Sequence, residues 1–378
     1  MHHAIVAAVV LLASLAALPS RAGVLPDDRG DVLYHRYQGG GVTIDGPSVL
    51  VRKKFAERYS VSASYYVDMV SSASIDVITT ASPYSEQRDQ AGLSLDVLDD
   101  KTQYTVSVVG SEESDYSARS ASFDVSQDLF GDLTTVSFGF SRGWDEVRRN
   151  GDPQFDEPVD RRSYRFGLSQ IVTPALVMGL AYETITDEGF LNNPYRSVRY
   201  LEPDAAAGFA FQLEVYPRTR TSNAAALNAR YFLPYRAAVH GEYRYFTDTW
   251  GIDASTASVG YTHPLGERWT LEGGYRWYDQ SAANFYADLF PRRDAQNFLA
   301  RDKELSTFTS QMLSVGATYK LPAFAGRFLQ RSTVSLFYDR MRFNYDDFRD
   351  ITAGGAPGTE PLYGFDADVV RVLFSGWF

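Results

Sequence analysis

The residues of this chain best placed to do chemistry are charged side chains that recur at alternate positions. Arg236, His240, Glu242 and Arg244 share one parity within residues 235–246, and Glu272 and Arg276 share one within residues 269–278. Asp68 and Arg371 sit among alternating apolar residues in 60–69 and 369–378. Even spacing puts side chains on one face of a strand, so each set stacks opposite charges at neighbouring heights. Such columns either cross-brace a packed interior or line a wet one. A second group falls between strand-like segments. Arg196, Arg199, Arg218 and Arg220 lie in residues 187–221 with Asp187, Glu188, Glu202, Asp204, Phe190, Tyr195 and Tyr200. Guanidinium forks grip carboxylates and phosphates, so this stretch is expected either to fold inward as a constriction or to stand outward and attract anions.

Other chemistry is thinner. Gly139-Phe-Ser-Arg-Gly143 has the spacing of a nucleophile elbow, but it lies within an alternating run (Val136, Phe138, Phe140) with no helix after it. The strand-turn-helix context that exposes such a serine is missing, and Ser141 is expected simply to face the interior. Beyond the first residues the histidines are His35, His240 and His263, and no catalytic residue is assigned. Asp346, Asp347, Asp350, Asp366 and Asp368 supply oxygen ligands of the kind Ca²⁺ takes, without EF-hand spacing. They read as a solvated acidic rim, so no metal is expected, and no cofactor either. The net charge of −11 argues against a nucleic-acid surface.

These side chains must be carried by something, and the chain supplies strands. Residues 4–18 form an uncharged apolar run, and Ser20-Arg21-Ala22 offers small residues after it. This is the pattern of an export signal cleaved after Ala22, although Met1-His2-His3 lacks the usual Lys or Arg. The remainder, 23–378, is read as a single domain. It contains no cysteine and no later apolar run near the roughly 18–20 residues of a spanning helix. Period two recurs throughout instead. In 60–69, Val61, Ala63, Tyr65, Val67 and Met69 alternate with polar residues, and in 269–278 the apolar set starts and ends on Trp269 and Trp277. Aromatic residues at both ends of an apolar face suit a strand whose ends meet two membrane interfaces.

The segments are each about ten residues long, enough for a tilted strand to cross the hydrocarbon layer. Short connections (99–101, 128–132, 172–174, 233–234, 263–267) alternate with long ones (71–86, 145–160, 187–221, 280–304, 345–363). The link 321–327 is placed with the short class. Counting back from a final strand at 369–378 makes 42–53 a descending strand and requires residues 31–38 to carry the chain up. The expected fold class is therefore all-β: a closed antiparallel transmembrane β-barrel of about 16 strands, 14 and 18 being the neighbouring even counts, with short periplasmic turns and long external loops. Residues 209–216 are read as strand-like structure within the long loop.

The last strand, with Val370, Val372, Phe374 and Phe378 on one face, resembles the signal by which bacterial outer-membrane barrels are recognised for insertion; Gly376 departs from it. Nearly the whole mature chain also resembles a family of bacterial outer-membrane-type barrel proteins designated a domain of unknown function. The resemblance rests on Gly46-Pro-Ser-Val-Leu-Val-Arg52, Val70-Ser-Ser-Ala-Ser-Ile-Asp76, Ser126-Gln-Asp-Leu-Phe-Gly-Asp-Leu-Thr-Thr135, residues 185–199 and Ala300-Arg-Asp-Lys-Glu-Leu-Ser306. It implies a location in the Gram-negative outer membrane and neighbours of periplasmic flavin-transfer or thioredoxin type. The expected function is a porin-like channel for small polar solutes or ions, narrowed by external loops. The alternative is a non-transporting docking barrel, and an outer-membrane hydrolase using His240 or Ser141 ranks below both. Expected partners are outer-membrane lipid, lipopolysaccharide, the barrel-assembly machinery and a periplasmic protein.

Overall fold

The computed structural model of the chain describes residues 24–72, 84–322 and 329–378. The expected export signal, residues 73–83 of the first long connection and 323–327 of the 321–327 link lie outside the described residues. Eighteen strands follow in order: β1 (Arg29–Gly39), β2 (Val42–Phe55), β3 (Tyr59–Ser72), β4 (Tyr84–Asp99), β5 (Thr102–Glu112), β6 (Tyr116–Leu129), β7 (Thr134–Arg149), β8 (Asp152–Thr173), β9 (Leu176–Gly189), β10 (Ser197–Leu201), β11 (Phe209–Leu213), β12 (Thr219–Phe232), β13 (Ala238–Asp248), β14 (Asp253–Leu265), β15 (Trp269–Gln280), β16 (Phe308–Lys320), β17 (Arg331–Arg349) and β18 (Leu362–Trp377).

All but β10 and β11 join one closed antiparallel ring of 16 strands, and β1 pairs with β18 from Arg29↔Trp377 to Gly39↔Ala367. Closure pairs the backbone donors and acceptors of each strand with both neighbours and removes sheet edges, the condition for strands to stand in lipid. The alternation decides the faces. Val32 and Tyr34 on β1, Trp269, Leu271 and Tyr275 on β15, and Val370, Val372 and Phe374 on β18 point outward and are exposed, so the ring wears an apolar belt. At the upper rim of this belt a tyrosine on a rising strand donates a hydrogen bond to an aspartate on the next strand. The pairs are Tyr34–Asp45 (2.6 Å), Tyr65–Asp89 (2.5 Å), Tyr245–Asp253 (2.7 Å) and Tyr338–Asp368 (2.6 Å). An amphipathic ring with its hydroxyl turned to an acid suits the water interface.

Two expectations about the connections are corrected. Residues 145–160 are not a loop, because β7 runs to Arg149 and β8 starts at Asp152. The alternation continues above the belt, where Val147 and Val159 pack with Tyr116 beneath Phe155 and Phe190. β8 has 22 residues, so at about 3.3 Å per residue it is roughly 70 Å long, about twice what a tilted crossing needs. The upper connections are not all long either. β1 and β2 meet through Gly40 and Gly41 alone, at φ +57° and +76°, which is the two-residue hairpin only such residues close readily.

The interior is packed on one side. Tyr37, Val42, Ile44, Val70, Met341, Ala367 and Val369 form a buried cluster inside the upper part of β1–β3 and β17–β18, continued by Phe343, Phe365, Tyr345 and Phe348. Among the described residues, the rest of the lumen, from β4 round to β16, is open.

Candidate functional site: the charged lumen and its cap

A cavity of about 2310 Å³ runs from the upper loops to the lower turns and is lined by Arg236, His240, Glu242, Arg244, Glu272, Arg276 and Arg371. Asp68 is not among its lining residues. It is fully buried with its Oδ1 2.8 Å from His35 Nε2, and Tyr66 stacks on that imidazole, so this acid is sealed into the packed side of the wall. Arg371 reaches Asp339 at 2.8 Å.

Register brings the others together across β12–β16. Ala226, Arg244, Thr256, Tyr278 and Ser310 form one row; Asn228, Glu242, Ser258, Arg276 and Met312 form the next; Arg230, His240, Gly260, Gly274 and Ser314 form the one below. Small residues between the long ones leave the guanidinium groups room. Gly260 shows how closely the wall is fitted, since a Cβ there would lie 2.2 Å from His240 Nε2. Arg244 lies over Phe246 at 5.7 Å and Arg276 over Tyr278 at 5.4 Å, each held by an aromatic face. Arg236 occupies the lower turn at φ +68°. Further round the same side of the ring, on β8, the cations are matched: Arg165 with Asp124 (2.7 Å), and Arg161 with Asp145 (2.7 Å) and Asp187 (3.5 Å).

The candidate catalytic pair is not assembled. Ser141 on β7 faces Ser122 and Ser163 across the ladders, and three strands separate β7 from β13, which carries His240.

Three upper connections, 190–218, 281–307 and 350–361, fold together as a cap. β10 and β11 pair within the first, from Ser197↔Leu213 to Leu201↔Phe209, which accounts for the alternation read at 209–216. Beneath them lie two apolar clusters, Val198 with Tyr200, Phe290 and Leu299, and Tyr216 with Trp250, Phe285 and Leu305. The arginines expected to constrict the pore or attract anions are consumed in fastening this cap. Arg199 is fully buried, holding Asp288 through Nη2 and Glu360 through Nη1 at 2.5 Å. Arg301 also reaches Asp288 at 2.9 Å and lies 4.4 Å over Phe348. Burial opposes these charges, but their mutual hydrogen bonds outweigh it, holding the Glu360 carboxyl below its ordinary range and Arg199 above. Arg196 pairs with Asp302 across the two larger loops. Arg220 pairs with Asp248 at 2.5 Å and lies 4.5 Å over Trp250. Only Arg218, paired with Glu157 at 2.8 Å, is well exposed. Sequence reading found these residues but not their partners, because Arg199 and Glu360 are 161 positions apart.

An acidic group lies at the side of the mouth, beside Tyr195. Glu86, Glu113 and Asp115 bring one carboxylate oxygen each within 4.8 Å of the others. Burial, and then Glu86, push the Glu113 carboxyl up to about 7, with Arg88 pulling the other way. Nothing in the sequence marks this trio, which is gathered by pairing of β4 with β5. The five aspartates read as a rim are instead dispersed. Asp366 and Asp368 hold Arg340 and Arg342 on the outer face, Asp347 accepts from the Thr307 amide, and Asp350 caps a single 3-10 turn.

A closed 16-stranded antiparallel ring with an apolar belt outside and charges inside is a β-barrel of outer-membrane type. The chain belongs to the family described as protein of unknown function (DUF3570), which matches residues 75–165 and 160–331. No curated protein matches it. Among solved structures it is similar to the siderophore receptor PirA from Pseudomonas aeruginosa, at 11% identity over 93% of this chain and 63% of that one, with a TM-score of 0.45. It thus spans less than two thirds of that receptor. It is also similar to a bacterial polysaccharide outer membrane secretin (8% identity, 94% and 100% covered, TM-score 0.49). A Pseudomonas aeruginosa FadL homologue gives 12% identity, 94% and 92% covered, and a TM-score of 0.44.

Proposed function

We propose that the protein resides in the bacterial outer membrane and passes small polar solutes or ions through its lumen, with the loop cap narrowing the external end. The observation that carries this reading is the cavity of about 2310 Å³, whose lining runs from Glu86 and Glu113 at the mouth to Arg236 and Pro264 at the lower turns. A barrel serving only as a scaffold gains nothing from an unfilled charged interior, since buried charge costs free energy unless it is paired or hydrated. Among the described residues, the cap supports a constriction rather than a seal. It is fastened to the β12–β16 side and to the end of β17, while the mouth beside the Glu86–Glu113–Asp115 group lines the cavity. Purified protein in a planar bilayer tests the reading: discrete conductance steps are expected, and their absence over repeated insertions removes it.

A further inference from the structure

We propose that the solutes passing this lumen are small anions, and that a staircase of arginines on the β12–β15 wall carries them; the inference rests on the pore reading above. The staircase follows from register. Going down the wall, Arg244 and Arg276 occupy successive rows, Arg230 shares the next with His240, and Arg236 stands in the lower turn, while Arg220 above them is tied to Asp248 and is not a step. Rows two residues apart are spaced by about 7 Å. That is shorter than the Debye length of about 8 Å at physiological ionic strength. An anion leaving one of the three guanidinium groups in successive rows, those of Arg244, Arg276 and Arg230, is therefore already in the field of the next, the arrangement that lets ions bind weakly at several sites and still move on.

The central pair makes the case. Among the described residues neither Arg244 nor Arg276 has a carboxylate oxygen within 4.0 Å, and neither does Arg230. The cations of nearby β8, Arg161 and Arg165, are tied to acids, and so is Arg371 on β18. Glu242 shares the row of Arg276 and Glu272 stands in the row below Arg230, so these two acids offset part of the charge of Arg244, Arg276, Arg230 and Arg236 and leave an excess of cations. The remaining positive charge faces the cavity from a wall of Thr256, Ser258, Gly260 and Gly274, which leaves the guanidinium edges open. Phe246 and Tyr278 cover one face of Arg244 and Arg276 and hold them extended without neutralising them. The cavity lining as a whole carries acids as well as bases, but along this band the guanidinium groups outnumber the acids, and a wet passage with low-dielectric walls concentrates the ion of opposite sign at such a band.

The test is the reversal potential of single barrels in a planar bilayer under a KCl gradient. The chloride-to-potassium permeability ratio of the unaltered protein is expected above one. It should fall about tenfold in the double variant Arg244→Gln, Arg276→Gln and rise in Glu242→Gln. Arg244→Lys with Arg276→Lys should keep most of the anion preference, which separates charge from packing. Conductance with a ratio at or below one, or a ratio unmoved in the double glutamine variant, overturns the inference while leaving the pore. No conductance at all overturns the pore reading and this inference with it. Both arginines face open lumen, so variants should retain the heat-modifiable mobility of a folded barrel, and that gel shift accompanies each recording.

Discussion

Replacing Arg199 by alanine would leave two acids buried in the cap, and the structure says how unequally they would suffer. Asp288 is 8% exposed and keeps Arg301 at 2.9 Å, so it retains a cation. Glu360 is 3% exposed and loses both guanidinium contacts, keeping the Gly358 amide at 2.9 Å. Removing one partner of a buried pair costs about 3–5 kcal/mol. With one of the two acids still partnered, the lower end, about 3 kcal/mol, is the expected loss. That amounts to roughly a hundredfold in the opening equilibrium of the cap. The effect should be local, because among the described residues the ring ladders share no hydrogen bond with this cluster except at Arg349, the end of β17. Hydrogen exchange reads it directly. The amides of Leu201, Val215 and Phe290, which bond across the cap to Phe290, Leu299 and Arg199 carbonyls, should exchange about a hundredfold faster. The amides of β5 and β6 should not change. Joint replacement Arg199→Met with Glu360→Met should restore protection, since apolar residues of similar size can replace an ion pair at little cost. Unchanged exchange in the cap, or an equal rise throughout the barrel, would refute the assignment of this cluster as the cap's fastening.

Two further outcomes follow from the same geometry. Glu113 has a folded pKa of about 7, raised from 4.5, so its proton favours the folded state and this contribution is lost as pH rises through about 7. Glu113→Gln should therefore match the parent at pH 4 and exceed it at pH 8 by up to about 3 kcal/mol, read as a widening gap in heat-unfolding temperature. Val372 faces outward on β18, and a charge facing lipid at mid-membrane costs about 2–4 kcal/mol. Val372→Lys should lower the folded fraction in liposomes on a heat-modifiability gel, and an unaffected fold would invert the inside-outside assignment.

The alternation of residues such as Val370, Val372 and Phe374 was enough to read strands, because successive side chains of any extended chain point to opposite faces. Parity then gave an even ring of 16 and placed residues 31–38 as its first strand, where β1 is found. The segment 145–160 reads as a loop in the sequence and is a long hairpin in the structure. Its Pro153, Pro158 and many charges look like turn chemistry, while the packing of Val147 and Val159 against Tyr116, which keeps it paired, comes from another strand.

Local covalent geometry is thus what the sequence determined by itself: which segments are strands, how many close the ring, and which side chains share a face. The tertiary structure decided which charges are neutralised. Arg199 and Arg244 look alike in the sequence, yet one is buried between Asp288 and Glu360 and the other stands over Phe246 with no acid in contact among the described residues. The difference lies in loop folding and ring register, which join residues far apart in the chain, and a Coulomb interaction depends on that distance in space rather than on spacing along the sequence.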